Sequence, residues 1–379
     1  MTMYRTGTAK LPLHGGKAPV WLTGRMRGLA REIASIIIEE YGTAKFIERL
    51  SDPYWFQALG CVLAYDWHSS GVTTVVTGVL KTALSPQTHG VAVCGGKGKT
   101  SRKTPSDIQY IGRQWDFPEK TIDSLLHTSR ITAKVDNTAI QDGYQLYHHT
   151  LLITREGKWA VIQQGMNETD RSARRYHWLG SSTCSFVEDP HNAIACNIRQ
   201  KKALNMVAKA SQETRRASVD LVKEPPKKLF SLIQQVSKPQ NQSSLQAWLP
   251  KTSSPWLQTQ TMLNMPRNIN WDTLSRLYEF QPQNYEELLC VKGVGPATVR
   301  GLALVAELVY GEAPSWEDPV RFSFAYGGKD GVPFPVERQA MDESIEILRK
   351  TVEEAKIGEK DKLQSLQRLR HFVPQTNKS

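Results

Sequence analysis

The sequence predicts an α+β protein, with a mixed N-terminal domain containing a small antiparallel sheet and a mainly helical C-terminal domain. Three observations predict it. The apolar residues recur at helical spacing over most of residues 24–131, and the period switches to two between Tyr144 and Gln164. Residues 236–258, rich in Gln, Ser, Pro and Lys, read as a linker or exposed arm. Beyond that arm, Asn284 to Tyr310 reads as two helices joined by a Gly-Val-Gly turn. The expected organisation is a domain over 1–180, a helical connector and arm over 181–260, a hairpin domain over 261–355 and a charged tail over 356–379.

Each element has a local reason. Met26, Leu29, Ile33 and Ile37 place an apolar stripe on a helix from Gly24 to Tyr41, which Gly42 ends, and a second helix follows near Ala44 to Leu50. Trp55 to Tyr65 and Val72 to Leu84 read as buried helices around a turn at Asp66-Trp67-His68-Ser69-Ser70-Gly71. Val91 to Cys94 is a short strand running into Gly95 to Lys103, a flexible basic loop. Helices are expected over Asp107 to Trp115 and Glu119 to Ile131. Paired strands follow over Tyr144 to Thr154 and Lys158 to Gln164, turning at Arg155-Glu156-Gly157. Residues 181–197 lack periodicity, 198–222 suggest a polar basic helix, and Trp271 to Phe280 and Glu337 to about Glu354 suggest further helices. Region 313–335 reads as loop, and the Lys- and Glu-dense tail is expected to fray.

The chain of 379 residues is long enough for two or three domains, and its net charge of +11 favours an anionic partner. Five scattered cysteines without Cys-x-x-Cys spacing indicate neither a disulfide scaffold nor a zinc cage, and they fit a reducing cytoplasm. No N-terminal apolar run suggests a signal peptide, and no apolar run suggests a membrane partner.

In the hairpin, Asn284 is placed to cap the first helix, with Glu287 three residues on, and Leu288, Leu289 and Val291 form its buried side. Lys292, Gly293, Val294 and Gly295 make the turn, and Pro296 takes the favoured first position of the second helix. Glycine leaves no Cβ to block an approach from outside, and the free N–H groups of the helix start favour an anion. This pattern, with Gly293, Val294, Gly295, Ala297, Thr298, Leu302 and Val305, resembles the helix-hairpin-helix motif. The resemblance implies a grip on the DNA backbone without base reading.

The stretches HGGKAP, DPYWFQALGCVLAYDWHSSG, VCGGKGKTSRKTP, KVDN, QDGYQLYHH, WAVIQQGM and ARRYHWL together resemble an archaeal and bacterial domain-of-unknown-function family that carries this block and a C-terminal helix-hairpin-helix. Membership implies no reaction, so chemistry has to come from the residues.

Asp136, Asp142 and Gln163 are expected to converge at one end of the strand pair. Phosphodiester cleavage with Mg²⁺ or Mn²⁺ needs two or more oxygen ligands and a group that orients water. The expectation is therefore a metal-dependent DNA nuclease of repair or recombination, with Asp136 and Asp142 as ligands and His68 or His148 as acid or base. Lys97, Lys99 and Lys103, with Arg174 and Arg175, add phosphate contacts. The acidic-x-Lys signature of restriction-type nucleases is missing, since Gln163-Gln164-Gly165 stands in its place. A nucleotide-binding loop at Gly95 to Thr100 is rejected because Val93 occupies the required glycine position. His148-His149, and His68 with Cys61, lack the partners of a zinc site.

Two alternatives stay open. Asp318, Val320 and Arg321 follow the hairpin in an order similar to that of helix-hairpin-helix DNA glycosylases, although Ala297 stands where lyase-type members hold a lysine. The other is a DNA-binding adaptor without a reaction.

Overall fold

A computed structural model describes residues 20–63, 70–196, 198–237, 265–266, 268–320 and 338–372. The HGGKAP stretch, Asp66, His68, Arg321 and nearly all of the expected arm lie outside the described residues.

The molecule is organised on one antiparallel sheet of five strands: β1 (Val91–Lys97), β3 (Gln145–Thr154), β4 (Trp159–Asn167), β5 (Ser172–Leu179) and β6 (Ala193–Ala195), in the order β1-β3-β4-β5-β6. The expected strand pair forms its centre, and β3 and β4 join through Arg155-Glu156-Gly157, with Gly157 at φ +77°. β2 (Ile140–Gln141) and β7 (Leu204–Asn205) form a separate pair, which Asn205 extends to Ser315.

Because side chains alternate along a strand, the sheet has two buried faces. Val91, Leu152, Ala160, Ile162 and Leu179 face one cluster. It is closed by α1 (Val20–Ser51), α2 (Pro53–Val62), α3 (Gly71–Ala83) and two helices from the far end of the chain, Arg338–Glu354 and Glu359–Phe372. Gly42 breaks α1 with φ +83°, as its sequence position suggested. Leu151, Ile153, Val161, Tyr176 and Trp178 face the other cluster. That face is covered by α5 (Thr104–Gln114), α6 (Glu119–Lys134), α7 (Gln212–Lys223), α8 (Pro226–Ser237) and the helices Trp271–Phe280, Tyr285–Cys290 and Pro296–Tyr310. Each core is thus shared between the N-terminal block and segments from the C-terminal third.

Three expectations are corrected. Gly95 to Lys103 is not a flexible loop: β1 continues to Lys97, and residues 98–103 form a tight helical turn leading into α5. Gly95 sits at φ +87° with space for no Cβ, which would lie 2.4 Å from the His149 carbonyl oxygen, and its N–H is held by Asp107 Oδ2 at 2.9 Å. The same oxygen accepts from Lys81 Nζ at 2.6 Å. The polar helix expected over 198–222 begins only at Gln212, since β7 and a short turn precede it. The described part of the tail is not frayed: Glu359–Phe372 is helical, with Leu369 buried, and Arg368 Nη2 donates to the Val62 carbonyl at the end of α2, at 3.0 Å.

Candidate functional site: a carboxylate network beneath a helical hairpin

The hairpin has the local geometry its residues suggest. Asn284 Oδ1 accepts the Glu287 N–H at 2.9 Å, and Glu287 Oε2 accepts the Gln283 N–H at 2.8 Å, so donors at the helix start are satisfied reciprocally. Leu288, Leu289 and Val294 are buried, while Lys292 and Gly293 are exposed. The two glycines differ. Gly293 has φ +100°, and a Cβ there would lie 2.4 Å from Thr273 Oγ1 and 2.8 Å from Arg276 Nη2. Gly295 has φ −138°, and a Cβ there would meet nothing nearer than the Gly293 carbonyl oxygen at 3.9 Å. No side chain caps the helix Pro296–Tyr310, which Gly295 begins. Ala297 is half-buried and Thr298 buried, so only their backbone N–H groups are candidates for contact.

The hairpin is seated on α6 and the segment after it. His127 Nε2 meets Glu286 Oε1 at 2.7 Å, Lys134 Nζ donates to the Val294 carbonyl, and Gln141 Nε2 donates to the Pro296 carbonyl at 2.8 Å. Between these anchors α6 loosens into a π turn, Val135–Ala139. Such turns are rare and gather at functional sites. This one turns Asp136 inward, beneath the hairpin.

Asp136 is fully buried; it accepts from Gln163 Nε2 at 2.5 Å and Trp178 Nε1 at 3.0 Å, and its Oδ1 meets His191 Nε2 at 2.5 Å. The network assigns its own protons. Since the Gln163 amide nitrogen faces Asp136, its oxygen faces His149 Nδ1 at 2.8 Å, so that ring nitrogen carries hydrogen. His149 Nε2 then accepts from the Ser129 hydroxyl at 2.8 Å. Burial pushes the His149 pKa down to about 4, which keeps the ring neutral. Burial also pushes the Asp136 carboxyl upward, opposed by His191 and Trp178.

A second carboxylate centre adjoins the first through Tyr176. Asp142 Oδ2 accepts from the Tyr176 hydroxyl at 2.8 Å and from Arg174 Nη1 at 2.7 Å, and Oδ1 accepts the Tyr144 N–H at 3.0 Å. Arg174 also binds Asp318 through both terminal nitrogens and gives Nη2 to the Ile198 carbonyl at 3.0 Å. Asp318 accepts further from the N–H groups of Gln200 and Val320.

Asp136 and Gln163 are therefore in direct contact, as expected, and Asp142 belongs to the adjoining Arg174 centre. Other placements are corrections. Arg174 and Arg175 are fully buried and present no surface to a nucleic acid. A basic pair beside Tyr-His-Trp has the look of a surface patch, but β5 lies between two layers of helices. Arg175 points to the opposite face, where Nε meets Thr73 Oγ1 at 2.8 Å and Nη2 meets Gln57 Oε1 at 2.7 Å. His148 also faces that side, with Nε2 between the hydroxyls of Thr77 at 3.1 Å and Thr150 at 2.8 Å, so it does not join Asp136. Burial lowers its pKa to about 3. Lys97, Lys99 and Lys103 are exposed at the end of β1 and the turn after it. His191, Trp178 and Ser129 are members of the network that sequence reasoning missed. Nothing in their spacing links them to Asp136.

The expected Mg²⁺ or Mn²⁺ does not fit these carboxylates. Such ions need oxygen lone pairs in near-octahedral array, whereas the oxygens of Asp136 and Asp142 each face N–H or O–H donors. Among the described residues no group of three or more His, Cys, Asp or Glu side chains is arranged to hold a metal ion.

The chain is thus an α+β protein with a helical hairpin seated on a buried polar network. A family model described as "Protein of unknown function (DUF763)" matches residues 7–336, and the chain belongs to that family. Neither the curated proteins nor the solved structures contain a match. Among the described residues, no helix is long and apolar enough to cross a membrane.

Proposed function

We propose that this protein binds DNA through the phosphate backbone, with Lys292 to Thr298 as the contact. The observation that carries the reading is Gly295. Its backbone is extended, a conformation open to any residue, and among the described residues nothing occupies the Cβ position. A side chain is therefore missing where the fold has room for one, next to the uncapped start of a 15-residue helix and the exposed Lys292. Close approach of a phosphate to backbone N–H groups gives that absence a purpose. The net charge of +11 and the exposed Lys97, Lys99 and Lys103 favour the same partner. On this reading the Asp136 network is the rigid seat of the hairpin, joined to it through Lys134 and Gln141, and no reaction is assigned to it.

The test is fluorescence anisotropy with two labelled duplexes of unrelated sequence across a salt series. Similar affinity for both, falling steeply with salt, and a uniform loss in Gly295→Ala are expected. Unchanged binding in Gly295→Ala, or loss for one duplex alone, would overturn the reading.

A further inference from the structure

A cavity of about 690 Å³ opens where the first hairpin helix faces α6, beside the turn assigned to the phosphate backbone. Lys292 belongs to both, since it begins the turn and lines the cavity. A second exposed cation, Arg276, stands against the turn: its Nη2 lies 2.8 Å from where a Gly293 Cβ would be. A strand held at this turn therefore passes the mouth of the cavity.

Val187, Cys290 and Val291 give the cavity an apolar wall, and Phe280 joins them while remaining 57% exposed. The neighbouring ring of Phe186 is stacked on Trp159 and packed against His127 and Trp178. Phe280 has no aromatic partner among the described residues. An open ring beside a phosphate contact is the arrangement on which unpaired bases stack. The polar rim is nearly all engaged. Glu287 accepts from Asn284 Nδ2 at 3.1 Å and from the Gln283 N–H at 2.8 Å, and Glu286 Oε1 meets His127 Nε2 at 2.7 Å. Glu286 Oε2 has no hydrogen-bond partner among the described residues. The two carboxylates repel a phosphate, and Oε2 is left to accept an N–H, which the amino edge of a base supplies.

We infer that the cavity receives an unpaired base of the strand whose backbone the hairpin holds, stacked on Phe280 with its amino edge toward Glu286 Oε2. The preferred partner is then DNA with a bulge, gap or single-stranded stretch. A paired base cannot enter, because its amino edge is closed by its partner and its faces by its neighbours. The inference rests on the backbone reading of Lys292 to Thr298 and adds the class of DNA that this contact alone does not select.

Fluorescence anisotropy with the full chain compares four labelled duplexes of one sequence: intact, or carrying a one-nucleotide bulge of cytosine, thymine or an abasic residue. The abasic bulge interrupts the duplex without offering a base. The cytosine bulge is expected to bind about tenfold tighter than the abasic one, and the thymine bulge, which lacks the amino group, to lie between them. Phe280→Ala, a change at an exposed position, is expected to remove the cytosine advantage, and Phe280→Tyr to keep it. With the intact duplex bound, equal affinity for the cytosine bulge and either of the other two, or an advantage that survives Phe280→Ala, would overturn this inference alone. Failure to bind the intact duplex would overturn the backbone reading and this inference with it.

Discussion

Arg174 clamps Asp318 with two parallel hydrogen bonds, Nη1 to Oδ1 at 2.8 Å and Nη2 to Oδ2 at 2.7 Å, across 144 positions of sequence. Both side chains are fully buried. The pair ties the middle of the sheet to the segment that leaves the hairpin. Removing one member of a buried ion pair leaves a charge uncompensated, at about 3–5 kcal/mol. Asp318→Ala is expected to lower unfolding free energy by that order, read from urea denaturation, and Arg174→Met to lower it comparably. A change below about 0.5 kcal/mol, as at an ordinary surface site, would contradict the clamp.

The two hairpin glycines separate stability from binding. Gly293→Ala forces a Cβ into Thr273 and a side chain into φ +100°, and a loss of about 1–3 kcal/mol is expected. Gly295→Ala meets no clash; the reduced freedom of the unfolded chain, worth about 0.4–1 kcal/mol, is offset by the loss of glycine at the helix N-cap, so stability is expected to change by less than about 0.5 kcal/mol. Thermal melts of both variants beside DNA titrations check the contrast, with Gly295→Ala the more stable protein and the weaker binder.

Acid is expected to weaken the fold through His148 and His149. Burial depresses both from the usual 6.5, to about 3 and about 4. Their contribution is fully present above pH 6.5 and is lost as pH falls through the folded values, because the unfolded chain takes up protons first. Urea midpoints between pH 7 and pH 4 should fall, and less steeply in His149→Gln.

His127 works in the opposite direction. Its pKa is raised from 6.5 to about 9, first by Cys290 and then by Glu286. The stability it contributes is present below pH 6.5 and is lost as pH rises through about 9. The ring is partly exposed, so the effect is modest and local. Amide exchange in Tyr285–Cys290 is expected to quicken from pH 7 to pH 9 beyond the intrinsic base dependence, and that excess should vanish in His127→Gln.

Divalent metal is expected to leave the network unmoved. A ligand that binds the native state raises the melting temperature by mass action. With the oxygens of Asp136 and Asp142 facing donors, millimolar Mg²⁺ or Mn²⁺ should produce no rise that Asp136→Asn abolishes. A rise lost in that variant would restore the metal reading.

Local structure was largely legible in the chain because its causes are local. The break at Gly42, the Arg155-Glu156-Gly157 turn and the helix Trp271–Phe280 all follow from periodicity and turn chemistry over a few residues. The hairpin helices and the Asn284 cap were equally readable. β6 and β7, at three and two residues, are too short to carry a period. The helix Glu359–Phe372 was hidden by its Lys- and Glu-rich outer side, although Leu366 and Leu369 already had helical spacing toward α2.

By itself the sequence determined the central strand pair and its turn, most of the helices and the two glycines of the hairpin. Only the tertiary structure decided that Arg174 and Arg175 are interior, that Asp136 answers to His191 and Trp178, and that Asp142 belongs with Asp318. A charged side chain carries no mark of its partner's position. Whether it meets water, phosphate or a carboxylate far along the chain depends on how the layers close over it.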